Sequence, residues 1–454
     1  MNRQQISLTQ GSIWKAILFF AFPIFLGQVF QQLYNTFDAW CVGYFINDNA
    51  MGAVTSSGSL IFLMVSFFNG LAMGAGVVIA RYYGAKNDDA VSKTIHTAIA
   101  FGLCTGTALT VAGITCTPII LRWMGAPEDT MVYSIPYFRF YFCGAIFTVM
   151  YNIFVGIHHA VGDSKHPLYY LICSTMVNIV LDLLFVGVMG FGVGSAALAT
   201  TISQGISALL CCIHLMRSTG PTRLYLRKIR FHWKNLQEII RYGLPSAIQN
   251  SVIALANVVV QSNIFAFGPS AVNGCGAYSK LEGFAFLPVM CFSQSLSTFT
   301  GQNLGAAQHD RVKKGVGFGI VCSLIMAQIV GLLSYIFAPQ LIGFFAKSEA
   351  AIAYGTQHMR TICLFYGLLA FSHCIAGIMR GAGKATVPMF TMLACWCVIR
   401  VSYITIAVKF APKLTTVSWA YPLTWTLSSV VFLIYFLKAD WIHNFDRQKA
   451  KKAT

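Results

Sequence analysis

The stretch GIHHAVGDSKHP at residues 156–167 recurs in altered form as GIMRGAGKATVP at residues 377–388. Its landmarks pair Gly156 with Gly377, Gly162 with Gly383 and Pro167 with Pro388. Further matches at nearly the same offset pair Pro23 with Pro245, Asn35 with Asn257, Pro118 with Pro339, Glu128 with Glu349, Arg139 with Arg360 and segment 84–91 with 305–312. So many matches in one register indicate that the chain is a duplication of one unit.

Each unit is predicted to be a bundle of membrane helices. Of 454 residues, 56% are hydrophobic and 10% are charged, whereas a soluble domain is about 25% charged. Runs without Asp, Glu, Lys or Arg reach the roughly 20 residues that a membrane helix needs. With Gly and Pro breaks read as turns, they predict twelve spans, at 15–40, 52–80, 94–117, 131–158, 167–189, 194–216, 237–266, 271–300, 315–337, 351–378, 385–408 and 414–437.

The basic residues predict how the chain is oriented. Lys and Arg number 31 against 14 Asp and Glu, which gives a formal charge of +17. If the N-terminus is cytoplasmic, most of these bases lie in inner loops and tails, and the positive-inside rule places both termini in the cytoplasm. The densest basic run, 217–241, falls largely in the predicted cytoplasmic loop between two spans. We therefore expect a solvated linker and no nucleic-acid partner.

The predicted fold is all-α, with twelve transmembrane helices in two parallel six-helix bundles related by a pseudo-two-fold axis along the membrane normal. Its predicted parts are an N-terminal lobe at 1–216, a basic cytoplasmic linker at 217–236, a C-terminal lobe at 237–437 and a basic cytoplasmic tail at 438–454. Two such lobes facing each other across a cleft are typical of secondary transporters. The sequence lacks a Walker motif and the common hydrolase motifs, so we expect a gradient-driven protein that is not an enzyme and has no cofactor.

The acids Asp38, Asp182 and Glu282 fall inside predicted spans, where a charge is costly and usually functional. Asp38 ends a polar stripe on span one that also contains Gln28, Gln31 and Asn35, and Asp182 ends a second stripe with Thr175 and Asn178 on span five. Spacings of three and four residues place each stripe on one helical face. Counted from the outer turns, Asp38, Asn178, Asp182 and Thr200 reach a similar depth.

These four residues predict a cation-coupling site. Two carboxylates, an amide and a hydroxyl can bind Na⁺ through oxygen, or the two carboxylates can share a proton. In the alternative interpretation, Asp38 extends to the membrane surface and Asp182 pairs with a donor for packing.

The second half lacks this set, because Val260, Ile399 and Tyr403 stand where the first half has Asp38, Asn178 and Asp182. We therefore expect coupling in the first half. For the second half we expect a substrate cleft with polar residues at Asn250, Asn257, Gln261 and Glu282. Glu282 meets a cationic substrate there or pairs with Lys280.

The remaining charged and titratable residues of the spans are expected to play structural roles. Arg139, Arg360 and Arg400 should extend to the membrane surface. His158 and His159, at the inner end of span four, should pack or contact lipid headgroups rather than titrate.

The motifs together resemble one transporter family. FPIFLGQVFQQLYNTFDAW (22–40), RYYGAKNDDAV (81–91), GQNLGAAQHDRV (301–312), the GDSKHP loop (162–167) and NIVLD (178–182) are similar to those of the multidrug and toxic compound extrusion (MATE) family, in particular its DinF-like bacterial branch. The resemblance covers almost the whole chain.

The resemblance implies a monomeric antiporter of the bacterial inner membrane, surrounded by lipid, that exports amphipathic, often cationic drug-like compounds in exchange for inward H⁺ or Na⁺. It assigns the coupling site to Asp38, Asn178, Asp182 and Thr200, and it implies a bend at Pro23. Proline permits such a hinge because it leaves a backbone carbonyl free. This sequence lacks the acids that other branches carry on spans seven and ten.

A lipid-linked oligosaccharide or lipid-precursor flippase of the same superfamily is the alternative function. Such a protein is expected to place several Arg and Lys in its cleft for a pyrophosphate. Here the bases more than two turns inside the spans are Arg139, Lys280, Arg360 and Arg400.

Overall fold

The computed structural model of the chain describes residues 8–45, 48–123, 128–192 and 194–446. All regular elements in these ranges are helices. The long helices, some of them broken, are numbered α1 (Ile13–Phe45), α2 (Asp48–Gly84), α3 (Asp88–Trp123), α4 (Glu128–Cys143 and Ala145–Ala160), α5 (Lys165–Asp182, continued by the π-helical Leu183–Val188), α6 (Gly194–Arg217), α7 (Trp233–Phe265), α8 (Pro269–Ala285 and Leu287–Gly305), α9 (His309–Ile336), α10 (Glu349–Cys363 and Tyr366–Gly381), α11 (Thr386–Met392, the π-helical Leu393–Ile399 and Arg400–Phe410) and α12 (Leu414–Ser418 and Ala420–Lys438).

The helices match the predicted spans in number and order. In the described part of the chain, nine helices are long and apolar enough to cross a membrane, and eleven when the bent helices α4 and α10 each count as one. The bends measure 46° in α4 and 54° in α10. The twelfth helix, α8, is less apolar because it is rich in Gly, Ser, Thr and Asn, and its second segment is almost entirely buried.

The chain folds into two compact units. The first contains Leu26–Ala247, and the second contains Leu8–Phe25 together with the chain from Ile248 onward. Helices α1 and α7 therefore change unit shortly after their internal prolines, Pro23 and Pro245. The boundaries predicted for the lobes, linker and tail stay predictions, since they refer to a membrane rather than to packing.

The backbone repeats between the units where the sequence repeats. Lys86 and Ala307 have positive φ angles of 53° and 55°, and Gly162 and Gly383 have φ angles of 89° and 74°. A non-glycine residue rarely adopts this conformation. Two such matched pairs show that both copies of the unit make the same turns.

Small residues set the packing of the first unit. A side chain at Gly74 of α2 would overlap the backbone of Gly243 in the first part of α7. Such backbone contact is typical of membrane helices, where small residues replace the hydrophobic effect as the basis of association. Close to this contact, Arg81 of α2 and Glu238 of α7 form an ion pair of 2.8 Å.

The first part of the chain is held by the second unit. Arg311 of α9 donates hydrogen bonds to the carbonyl oxygens of Leu8, Gln10 and Gly11 at 3.2, 2.9 and 2.7 Å. Asn303 of α8 donates to the Leu8 carbonyl at 3.2 Å. These bonds fix the segment that enters α1.

The basic segment between α6 and α7 is partly packed, although the sequence predicts a solvated linker. Leu224 is buried, and the Tyr225 amide donates to Nε2 of His96 at 3.1 Å. Just beyond the segment, Asn235 at the start of α7 donates to the Thr94 hydroxyl at 2.7 Å. His96 and Thr94 lie on α3, so the segment rests on that helix. Its basic side chains point outward, and the exposed ones include Arg223, Arg227, Lys228 and Arg230.

Candidate functional site

Helix α5 carries Asp182, the more deeply buried of the two predicted coupling acids. Asp182 and Asn178 are 0% exposed, and Thr175, one turn earlier, is 5% exposed. All three lie on one helical face, as their spacing predicts. Asp182 ends the α-helical part of α5, and the π-helical turns begin at the next residue. Wider π turns occur often at functional sites in helices.

Asp38 of α1 lies beside this face. Its side chain is 7% exposed, and its carboxyl group interacts electrostatically with that of Asp182. Thr200 of α6 is equally buried, and its side chain interacts with the Tyr34 hydroxyl one turn before Asp38. The structure therefore brings Asp38, Asp182 and Thr200 together from three helices.

Three tyrosines surround the acids, and the sequence reasoning missed them. Tyr34 and Tyr137 are buried, and Tyr141 is half-buried. The charge of Asp38 influences all three. The signal was present in the spacing, because Tyr34 precedes Asp38 by four residues and Tyr137 precedes Tyr141 by four, so each pair shares a face.

Many polar atoms of this group have no hydrogen-bond partner among the described residues. In the part of the chain that the structure describes, buried atoms without a hydrogen bond include Oδ1 of Asp38, both carboxyl oxygens of Asp182, both amide atoms of Asn178 and Oγ1 of Thr175. Burying such groups unpaired is costly, and most of all for a carboxylate. The cost is removed when a proton or a cation with oxygen ligands binds, so these residues fit either ion.

The polar stripe of α1 only partly joins the group. Gln28 and Gln31 are half-buried, whereas Asn35 is exposed. Pro23 is buried near the start of the helix, well before the acid. The stripe thus extends from the proline toward Asp38, and only its last member lies among the buried polar groups.

The second unit fills the corresponding place with apolar side chains. Val260, the equivalent of Asp38, packs in a buried cluster with Ile264 and Ile404, and Tyr403, the equivalent of Asp182, packs against it. A duplicated fold therefore does not require the acids of the first unit.

A different charged group lies in the second unit. The Tyr278 hydroxyl donates to Oε1 of Glu282 at 3.0 Å, and Glu282 interacts electrostatically with Arg400. Nη1 of Arg400 also lies 3.5 Å from Oδ1 of Asn257. Lys280 extends over the Phe345 ring at 5.6 Å instead, so Arg400 rather than Lys280 is the cation that faces Glu282.

The remaining polar residues predicted for the second unit do not all join this group. Asn250 and Gln261 are half-buried on α7. Among the residues that the structure describes, Gln261 makes no hydrogen bond to Glu282 or Arg400.

The expectation that Arg400 extends to the membrane surface is wrong. Its side chain is 2% exposed, and it donates to the Thr424 hydroxyl through Nε and Nη2 at 3.2 and 3.0 Å. The guanidinium lies 4.6 Å from the ring centre of Tyr421 and 5.4 Å from that of Trp396. Aromatic faces and hydroxyl acceptors stabilise a buried guanidinium, which is weakly hydrated. Arg139 and Arg360 are exposed, as predicted.

Known sequences identify the family of this chain. The MatE family model matches residues 23–184 and again 245–406, once in each half of the chain and over more than half of its length. A probable multidrug resistance protein of Bacillus subtilis, YoeA, is 28% identical over 397 residues, which are 86% of each chain. The probable multidrug resistance protein NorM of Thermotoga maritima is 24% identical over 440 residues, covering 94% of this chain and 93% of the relative.

Solved structures show the same fold. A MOP superfamily transporter from Pyrococcus furiosus has a TM-score of 0.90 at 22% identity, with full coverage of both chains. An outward-facing multidrug resistance MATE transporter has a TM-score of 0.90 at 23% identity and covers 96% of this chain and 97% of its own. The predicted all-α fold of twelve helices in two lobes is confirmed. Taken with the two family matches, this shows that the chain belongs to the MatE family of membrane transporters, whose members are not enzymes.

Proposed function

We propose that the protein is a secondary active antiporter that exports amphipathic, often cationic organic compounds in exchange for inward H⁺ or Na⁺. One observation carries the proposal, namely the buried carboxyl groups of Asp38 and Asp182, which interact with each other and have unpartnered oxygen atoms. A buried acid pair with no cation beside it has its lowest free energy when a proton or Na⁺ is bound.

Ion binding is coupled to a change in α1 because leaving the ion site empty costs free energy. When the cation leaves, the two carboxylates repel each other in a medium of low dielectric constant, and this favours a rearrangement of α1. Pro23 supplies the position at which α1 bends, because its ring blocks a backbone hydrogen bond. Binding of the ion and bending of the helix are then parts of one equilibrium, which alternating access requires.

The cargo is inferred from the relatives and from the second unit. The names of YoeA and of the staphylococcal relatives called MepA describe multidrug resistance or export, and we extend that cargo class to this chain. Glu282 and Asn257 are the predicted polar contacts of a cationic compound, which would compete with Arg400 for the Glu282 carboxylate. Asn250 and Gln261 are further polar candidates on α7.

The cellular setting is part of the proposal. We place the protein in the bacterial inner membrane as a monomer in contact with lipid, with both termini in the cytoplasm, since the basic loops favour that orientation. It needs no cofactor beyond the coupling ion. Bacterial relatives support the location.

Efflux of a cationic dye from everted membrane vesicles tests the proposal. Asp38→Asn and Asp182→Asn should each lower the rate by more than about tenfold, since an amide cannot take up a proton or neutralise Na⁺. Glu349→Gln, which changes an exposed acid at the start of α10, is the matched control and should keep the wild-type rate. Wild-type rates in both aspartate variants would contradict the proposal. Replacing Na⁺ with choline at fixed pH shows whether efflux depends on Na⁺ or on H⁺.

The flippase alternative predicts a different ligand. Arg400 is already engaged by Thr424, Asn257 and Tyr421. The bases Arg139, Lys280 and Arg360 are exposed, which disfavours pyrophosphate binding. If the purified protein binds a lipid diphosphate and no cationic dye, the flippase becomes the better function.

A further inference from the structure

Three histidines and one aspartate meet at the turn between α4 and α5. Oδ2 of Asp163 lies 2.7 Å from Nδ1 of His166, 3.1 Å from Nδ1 of His158 and 3.9 Å from Nε2 of His214. The rings of His158 and His214 are 5.0 Å apart, and those of His166 and His214 are 4.2 Å apart. All four belong to the first unit, and His214 comes from the last turn of α6.

The fold does not require these side chains. In the second unit the equivalent turn has Met379, Lys384 and Val387 where the first has His158, Asp163 and His166. The turns share their hydrogen bonds, from the Asp163 amide to the His158 carbonyl at 2.9 Å and from the Lys384 amide to the Met379 carbonyl at 2.8 Å. Since one turn forms without the four-residue cluster, the cluster has a role other than forming the turn.

The cluster is buried, which is typical of side chains that bind a ligand and not of solvated surface side chains. His158 is 1% exposed and Asp163 is 8% exposed. Nε2 of His158 is buried and lacks a hydrogen-bond partner among the described residues, so this ring takes part in no hydrogen-bond network beyond Asp163.

The orientation of His214 also suits a ligand. The Tyr170 hydroxyl lies 2.8 Å from Nδ1 of His214, which leaves Nε2 facing Asp163. Metal-binding histidines commonly have their second nitrogen held in this way by an outer partner, which fixes the ring.

We propose that His158, Asp163, His166 and His214 bind a divalent transition-metal ion of the Zn²⁺ class. Zn²⁺ prefers four nitrogen, sulfur or oxygen ligands in a tetrahedron, and bonds of about 2.0–2.1 Å place the ligand atoms roughly 3.3 Å apart. The ligand atoms of His158, Asp163 and His214 lie within 4.8 Å of one another, so small side-chain shifts suffice. His166 is half-exposed and provides the path by which the ion enters.

The ion would join the end of α4 and the start of α5 to the last turn of α6. This role is separate from the proposed coupling site, which involves other residues of α5 and α6, so either proposal can fail without the other. Removal of the metal is expected to loosen the α5–α6 pair, because the 3.9 Å contact of His214 with Asp163 is a weaker link than a metal bond.

Metal titration of the whole purified chain tests the site. The protein is purified in detergent with a tag that contains no histidine, stripped with EDTA and titrated with Co²⁺, which reports tetrahedral coordination by visible absorption. We expect one equivalent to bind, Zn²⁺ to displace it, and Zn²⁺ to raise the thermal unfolding midpoint. Asp163→Asn, His214→Asn and the half-exposed His166→Asn should each weaken binding by at least about tenfold, a loss that outer-shell changes already cause.

A matched histidine and aspartate pair provides the control. His443 and Asp440 have the same three-residue spacing and the same 2.7 Å distance as His166 and Asp163, but both are more exposed. His443→Asn should leave the titration unchanged. The proposal is overturned if the wild type shows no Co²⁺ absorption, if His166→Asn folds and binds as the wild type does, or if His443→Asn removes the binding.

Discussion

The guanidinium of Arg400 lies 4.6 Å from the ring centre of Tyr421, inside the second unit. The first unit buries acids on α1 and α5, while the second buries this base on α11. Duplication has thus kept the helices, while the second unit lacks the acid pair of the first and buries a guanidinium that faces Glu282. The two units therefore have different chemistry on one scaffold, which favours coupling in the first and charge compensation in the second.

Loss of the Arg400 charge should destabilise the second unit. Arg400→Met leaves Glu282 without its cation, and removing one partner of a buried charge pair costs about 3 kcal/mol. We expect a lower thermal unfolding midpoint in detergent. The double variant Arg400→Met with Glu282→Gln should recover part of the loss, because the charges are coupled. Equal midpoints for Arg400→Met and for a change of the exposed Arg360 would refute the interpretation.

Gly74 should tolerate no side chain. Gly74→Ala places a methyl group into the backbone of Gly243, and overpacking of this kind costs about 1–3 kcal/mol. The thermal midpoint and the yield of folded protein should both fall. Gly317→Ala in α9 is the matched control, because a Cβ there meets nothing within 4 Å, and it should be neutral or slightly stabilising. Equal effects of the two changes would show that α2 and α7 are not in backbone contact.

Pro23 should control the rate of transport rather than ion binding. Pro23→Ala restores a backbone hydrogen bond in α1, so the helix bends less readily. We expect dye efflux to slow several-fold, while the affinity of the site at Asp38 and Asp182 for the coupling ion stays unchanged. Pro118→Ala, which changes another proline inside a helix, serves as the control. If Pro23→Ala exports dye at the wild-type rate, bending of α1 at Pro23 is not part of the mechanism.

Thr200→Val distinguishes Na⁺ coupling from H⁺ coupling. Valine keeps the shape of threonine and removes the oxygen, so the apparent affinity for Na⁺ should fall if Na⁺ is the ligand. A proton shared by Asp38 and Asp182 does not need that oxygen, and proton-driven efflux should persist. Efflux driven by a Na⁺ gradient and by a pH gradient is measured for each variant. Loss of both would indicate that Thr200 acts structurally.

The sequence predicted the acids because a carboxylate in an apolar run is conspicuous without knowledge of its neighbours. Asp38, Asn178 and Asp182 follow helical periodicity, so their shared faces were predictable. Tyr137 was missed because a tyrosine in a membrane helix is ordinary until its neighbour is known.

Arg400 was predicted wrongly for a related reason. Its acceptors and aromatic partners come largely from α7 and α12, and their proximity depends on tertiary packing. His214 joins His158 and Asp163 for the same reason, across a gap in sequence that periodicity does not bridge. Local patterns predict helices and faces, whereas contacts between helices require the structure.

Ion flux driven by substrate tests the central claim most directly. The purified protein is reconstituted in proteoliposomes, a cationic dye is added on one side, and H⁺ and Na⁺ fluxes are recorded with fluorescent indicators. We predict that the wild type moves one of these ions in the direction opposite to the dye, and that Asp182→Asn binds dye and moves no ion. Ion flux of wild-type size in Asp182→Asn, or dye transport by the wild type with no ion flux, would contradict coupling at Asp38 and Asp182.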